Sequence, residues 1–202
     1  MQTTKIQFSE DELTLMSNAR WMLMKNDIIQ KVDVLLGNIQ VTLKSKLAAE
    51  NYAIPEACKK YGAKISHGEK YEGLPYMILD YPRFFSKESI FAFRILFWWG
   101  NYFSCTLHLS GAVKNNFVNP LAFHFEKLKD NNYYISAAED EWVHHVSEPH
   151  YIAIKELQPE TFHQLLQQQP FVKITKTYPL SQWENFEEEA INTFDVMMSF
   201  LV

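Results

Sequence analysis

The chain's seven histidines and seventeen glutamates supply its obvious acid, base and metal-ligating groups, and two pairs fall at a spacing with meaning on a helix. Glu141-x-x-His144 and Glu160-x-x-His163 carry the arrangement by which one helix face presents a carboxylate and an imidazole to a di-iron centre. With that many of each residue the spacing also arises by chance. Pro149 and Pro159 moreover leave no room for two long facing helices between the pairs. A mononuclear site from His144, His145 and His150 with Glu141 or Glu148 meets a second obstacle. Neighbouring residues point to opposite faces of a strand and diverge by about 100° on a helix, so His144 and His145 do not converge on one ion. No metal and no cofactor is expected, and these histidines are read as solvated groups of an acidic loop.

A more informative constellation comes from a hairpin. Residues 102 to 110 alternate between polar positions (Tyr102, Ser104, Thr106, His108, Ser110) and apolar ones (Phe103, Cys105, Leu107, Leu109), the period of a strand with one buried face. The preceding run, Ile90 to Trp99, joins it through a tight turn at Gly100-Asn101. A three-residue loop puts Phe91, Phe93, Ile95 and Phe97 on the same face as the apolar set and sends Arg94 to the Ser104, Thr106, His108 face. A two-residue loop would bury Arg94 among leucines at a cost of several kcal/mol, so the three-residue loop is expected. The resulting face is semi-polar, walled by Trp98, Tyr102 and Tyr76, with Arg94 and His108 as its charged and titratable groups. Its ordinary interpretation is structural: Arg94 pairs with a nearby carboxylate such as Asp80, and His108 fills a hydrogen-bonded position. The His67–Phe85 stretch, rich in turn residues and charges, has similar alternatives, with Arg83 pairing with Asp80 or Glu88.

Other chemistry has little footing. There is no Gly-x-Ser-x-Gly elbow and no glycine-rich phosphate loop. Cys58 and Cys105 lie far apart without Cys-x-x-Cys spacing, and both read as reduced structural thiols.

The elements needed to hold such a face follow from periodicity. Ser9-x-x-Glu12 is a capping box before a helix that includes Leu13, Met16, Arg20, Trp21 and Met24, and a second helix is expected from Asp27 through Leu47. Together they form an N-terminal helical pair. A short helix opens at Pro55 and ends at Gly62. Strands are expected at Tyr76–Asp80, Ile90–Trp99, Tyr102–Ser110, Tyr133–Ala137, Trp142–Val146, Tyr151–Leu157 and Phe171–Thr177. Helices are expected at Pro120–Lys129, Pro159–Gln168 and Ser181–Leu201, the last opened by the capping box Ser181-x-x-Glu184. Helices, then consecutive strands, then a long terminal helix predict an α+β fold with a mainly antiparallel sheet of five to seven strands. At 202 residues the chain reads as one globular domain spanning residues 1 to 202.

Bulk properties exclude several partners. Residues 1 to 100 carry 13 Lys/Arg against 11 Asp/Glu, and residues 101 to 202 carry 6 against 13, so neither half has the basic field that a phosphate backbone requires. Arginine occurs only at Arg20, Arg83 and Arg94. Nucleic acid is not expected as a partner. Met1–Glu12 lacks the pattern of a secretory leader, and the longest apolar run is interrupted by Arg94, so neither export nor a membrane span is expected and the setting is read as cytoplasmic.

Gly73-Leu74-Pro75-Tyr76, Leu79-Asp80-Tyr81-Pro82-Arg83, Phe97-Trp98-Trp99-Gly100-Asn101 and Thr106-Leu107-His108-Leu109 together resemble a block from an uncharacterised protein family of Bacteroidetes-type bacteria, over about the first 110 residues. The resemblance implies a bacterial cytosolic setting and no activity.

Aromatic residues are concentrated: 12 of the 30 fall between Tyr71 and Phe103. Aromatic walls with a few polar groups suit small-molecule pockets. The expected function is therefore a non-enzymatic domain that binds a small, partly apolar ligand through Arg94, His108, Trp98, Tyr102, Ser104, Thr106, Tyr76 and Asp80. The alternative is self-association as a homodimer through exposed aromatics or the methionine-rich end Met197, Met198, Phe200, Leu201. A third reading is an enzyme using His108 with Asp80 or Glu69 as acid and base.

Overall fold

A computed structural model describes residues 6–202, so the reading of Met1–Glu12 as leaderless falls partly outside it. The fold is α+β, built on one seven-stranded antiparallel sheet: β1 (Lys64–Tyr71), β2 (Leu74–Phe85), β3 (Ser89–Trp98), β4 (Tyr102–Ser110), β5 (Tyr134–Ser136), β6 (Tyr151–Ala153) and β7 (Phe171–Pro179). Their spatial order is β1-β2-β3-β4-β7-β5-β6. The helices are α1 (Glu10–Met16), α2 (Ala19–Ala49), α3 (Gly111–Phe123), α4 (Phe125–Asp130), α5 (Pro159–Gln168) and α6 (Phe186–Ser199).

The β3–β4 hairpin has the three-residue loop, pairing Trp98 with Tyr102, Arg94 with Thr106 and Phe93 with Leu107. The sheet face toward the helices is therefore largely apolar. Met77, Leu79, Phe91, Phe93, Ile95, Phe97, Phe103, Leu107, Ile174 and Tyr178 form one core with α2 to α6. Phe103 stacks on Phe186 at 4.1 Å between centroids, and Phe93 meets Phe194 edge-on at 5.2 Å. The crossing between β4 and α3 is made at Gly111, whose φ of +58° suits glycine, and a Cβ there would lie 1.8 Å from the Glu88 carbonyl oxygen.

Several boundaries differ from expectation. The Ser9/Glu12 capping box forms, but its helix stops at Met16; Asn18 then caps Trp21 N–H, and α2 runs without a break through Asp27. Nothing between Lys25 and Asp27 interrupts a helix, whereas Asn18 offers a cap. At the other end the Ser181-x-x-Glu184 box is not made, because Leu180–Asn185 is a 3₁₀ turn and α6 starts at Phe186. The predicted stripe from Phe186 to Leu201 is nevertheless buried, and so are Met197, Met198, Phe200 and Leu201. The C-terminal end is core, which removes it as an association surface. Strand β1 lies in the stretch read as turns, since an edge strand with polar residues shows little periodicity. The expected strand Trp142–Val146 is absent as a strand.

Candidate functional site

The opposite, semi-polar face is crossed by residues 137–150, a strap with no helix or strand of its own. Its neck is closed by Ala137 N–H donating to the His150 carbonyl at 2.8 Å, the form of an Ω-loop. Because the strap cannot join a ladder, its backbone groups need partners elsewhere. Sheet side chains provide them. The Tyr71 hydroxyl accepts from the N–H groups of His144 and His145, at 2.6 and 3.0 Å. The Tyr102 hydroxyl accepts from Val146 N–H at 2.6 Å, and the Tyr151 hydroxyl donates to Val143 O at 3.3 Å. Lys173 Nζ donates to Glu141 O at 3.1 Å and also to Val143 O. This explains why Trp142–Val146 reads as a strand without being one: it is apolar in part, but most of its hydrogen bonds go to side chains.

Beneath the strap lies the constellation expected from the hairpin. Arg94 and Asp80 are cross-strand neighbours, and the guanidinium grips the carboxylate twice, Nε to Oδ1 at 2.7 Å and Nη2 to Oδ2 at 3.0 Å. Each is 6% exposed. The bulge that follows, between Asp80 and Arg83, contains Pro82, which has no N–H to lose from the ladder. Arg83 instead donates to Gly62 O at 2.8 Å. Thr106 exchanges a 3.0 Å hydrogen bond with Thr175, and Ser104 is buried beside them. Trp98 packs edge-on against Tyr102 and donates its indole N–H to Tyr71 O, forming a second small core with Ile78, Leu96 and Tyr76. Trp142, from the strap, lies over both the Arg94 guanidinium and the His108 ring.

His108 is fully buried; its Nε2 meets Glu141 Oε2 at 3.2 Å while its Nδ1 has no partner. It does not bond Asp80, which is engaged by Arg94, so the acid-base pairing of these two residues is not assembled. Burial, then the nearby Lys173 and Arg94 charges, holds the His108 pKa well below its ordinary value. The face expected to receive a ligand is thus covered at its centre.

Lys173 was not singled out by the sequence, though the alternation Lys173, Thr175, Thr177 against Val172 and Ile174 marks it; His144, read there as a solvated loop group, is instead turned inward between Arg94 and Lys173. Cα pairing puts Lys173 beside His108. Its surroundings favour its uncharged form. Arg94 Nη1, always a donor, points at His144 Nε2 from 3.1 Å, so the imidazole carries its one proton on Nδ1. That Nδ1 faces Lys173 Nζ at 3.2 Å. Only an uncharged amine can accept there. A neutral Lys173 satisfies every contact: two N–H bonds to the Glu141 and Val143 carbonyls, and a lone pair to His144. Burial first, then the Arg94 charge, lowers its pKa to about 7, and the same causes, with Lys173 leading the charges, push His144 far down.

His145 turns away, its Nδ1 hydrogen-bonded to the Tyr71 hydroxyl at 2.8 Å, so the two adjacent histidines serve different partners. Among the described residues no group of three or more His, Cys, Asp or Glu side chains is placed to hold a metal ion.

Part of the face remains open at its Tyr102 end. Between the strap and the β5–β6 hairpin lies a cleft of about 610 Å³, lined by Tyr102, Tyr134, Tyr151, Glu148, Glu156 and Thr177 among others. Of the expected site residues only Tyr102 reaches it. Tyr134 and Tyr151 were visible as strand residues but could not be placed, because β5 and β6 join the sheet across β7 rather than in chain order.

No protein-family model matches the chain, and neither a curated protein nor a solved structure matches it. No described helix is long and apolar enough to cross a membrane.

Proposed function

We propose that the protein is a cytosolic, non-enzymatic domain that binds a small, partly apolar ligand in the cleft at the Tyr102 end of the strap. The observation that carries this reading is the cleft itself, about 610 Å³ with three tyrosines in its wall, a size and lining suited to small molecules. The lysine and histidine with depressed pKa values support binding over catalysis: Lys173 and His144 fasten the strap to the sheet, and neither lines the cleft. The buried, unpaired thiols of Cys58 and Cys105 suit a reducing setting.

A fragment screen by protein-observed NMR tests the reading. Hits are expected to shift amides of residues 146–153 and to vanish in Thr177→Trp, which fills the cleft. Hits that persist in that variant, or an absence of hits at the cleft, defeat it.

One observation favours self-association as a second reading. Trp21, Met22, Leu23 and Met24 are all exposed at the start of α2, as are Leu13, Leu15 and Met16 on α1. A cluster of exposed large apolar side chains ordinarily marks an interaction surface. One turn further along α2, Ile28 borders an apolar groove of about 480 Å³ with Phe97, Trp99, Leu180 and Trp183. In light scattering after size exclusion at micromolar concentration, wild type should run as a dimer and Trp21→Lys/Leu23→Lys as a monomer; a monomeric wild type ends this reading.

A further inference from the structure

We infer that the cleft selects a small organic cation, a quaternary or alkyl ammonium group carried on a short apolar stem; this rests on the binding reading above and names its ligand class. The wall chemistry points one way. Tyr102, Tyr134 and Tyr151 are the aromatic components, and aromatic rings grouped around a pocket attract an ammonium through their electron-rich faces. The charged residues in the lining are Glu148 and Glu156, with no lysine or arginine among them. Both carboxylates are exposed, free to swing toward a ligand without a desolvation cost already incurred.

Two lysines near these rings do not contradict the sign. Lys176 lies against Tyr133 and Tyr178, belonging to the helix-covered side of β7, since its Cα partner is Cys105. Lys173 stands 5.7 Å from the Tyr151 ring, but burial and the Arg94 charge lower its pKa to about 7, so it places only a partial opposing charge behind the wall at neutral pH. An anion would meet two carboxylates and no donor of charge. A neutral ligand would gain the apolar contact yet leave the carboxylates unused.

The test compares choline with 3,3-dimethylbutan-1-ol, its uncharged isostere, by calorimetry and by NMR titration on the wild-type protein. Choline should bind roughly tenfold or more tightly than the alcohol, the ratio that about 1.4 kcal/mol of cation–π and carboxylate attraction produces. Glu148→Gln/Glu156→Gln should weaken choline by a similar factor and leave the alcohol unchanged. Tyr134→Leu, which keeps apolar area and removes the ring, should also weaken choline selectively. A third arm, trimethyllysine amide, carries the same head group on a peptide-like stem; tighter binding than choline would assign the cation to a protein source, and weaker binding to a free metabolite. Equal affinity for choline and the alcohol overturns the cation inference while leaving small-molecule binding intact. Occupancy of the cleft by uncharged or anionic fragments with no response to either ammonium also overturns it. If neither these probes nor any fragment enters the cleft, the binding reading falls as well.

Discussion

Asp80→Ala is expected to destabilise the protein by about 3–5 kcal/mol, read as a fall in the urea midpoint at unchanged slope. The size follows from what the substitution leaves behind. Arg94 is 6% exposed and one edge of its guanidinium is gripped by both carboxylate oxygens, so removing Asp80 strands a cation among Phe85, Trp142 and His144. Arg94→Met fails by a complementary route: it leaves the carboxylate uncompensated and takes the donor away from His144 Nε2. The double variant Asp80→Leu/Arg94→Met should recover much of either loss, because an apolar pair of similar volume avoids burying charge altogether. Single substitutions that cost less than about 1 kcal/mol would show that the pair is not desolvated as described.

Acid should loosen the protein well before its carboxylates titrate. His108 and His144 have depressed pKa values in the fold, through burial first and then through Lys173 and Arg94. Between their ordinary value of 6.5 and those lower values the unfolded chain holds protons that the folded chain does not. The stability they contribute is therefore present above pH 6.5 and lost as pH falls. One such proton is worth about 1.4 kcal/mol per pH unit, so two give a loss of about 4 kcal/mol at pH 5. Lys173 acts in the same direction over a higher window: with its pKa lowered from 10.5 to about 7, stability declines as pH falls from 10.5 to 7. Glu141 opposes them just above pH 4.5, since burial raises its pKa. Urea midpoints at pH 5, 6.5 and 8 should rise in that order, with His144→Gln removing a share of the slope below 6.5. A midpoint unchanged from pH 6.5 to 5 would mean that the imidazoles are not held neutral.

The parts of this arrangement that were legible in the sequence are those set by short-range alternation. The hairpin register followed from the cost of burying Arg94 on the wrong face, and with the register came the Arg94–Asp80 pair and the place of His108. The strap was not legible, because Trp142 to Val146 has a strand's composition while its partners are Tyr71, Tyr102 and Lys173, distant in sequence. The cleft was hidden for a related reason: β7 enters between β4 and β5, so which tyrosines face one another depends on a crossover that local patterns do not record. The C-terminal methionines show the limit of composition, since Met suits an interface and a core equally and only the packing of α6 decides.

The strap also bears on the order in which the chain folds. Its hydrogen bonds to β1, β3, β4 and β7 join residues 29 to 74 positions apart, at both ends of the chain's β region. Those contacts are with side chains that take their positions only once β1, β3, β4 and β7 lie side by side. Loop-closure entropy is thus borne before the segment gains anything from docking, which makes it the last piece to settle and the first to detach. Its detachment exposes a polar surface and leaves the helix-covered core in place. The protein therefore carries a locally opening unit whose excursions are cheaper than unfolding, and Trp142 is an intrinsic fluorescent reporter of that motion.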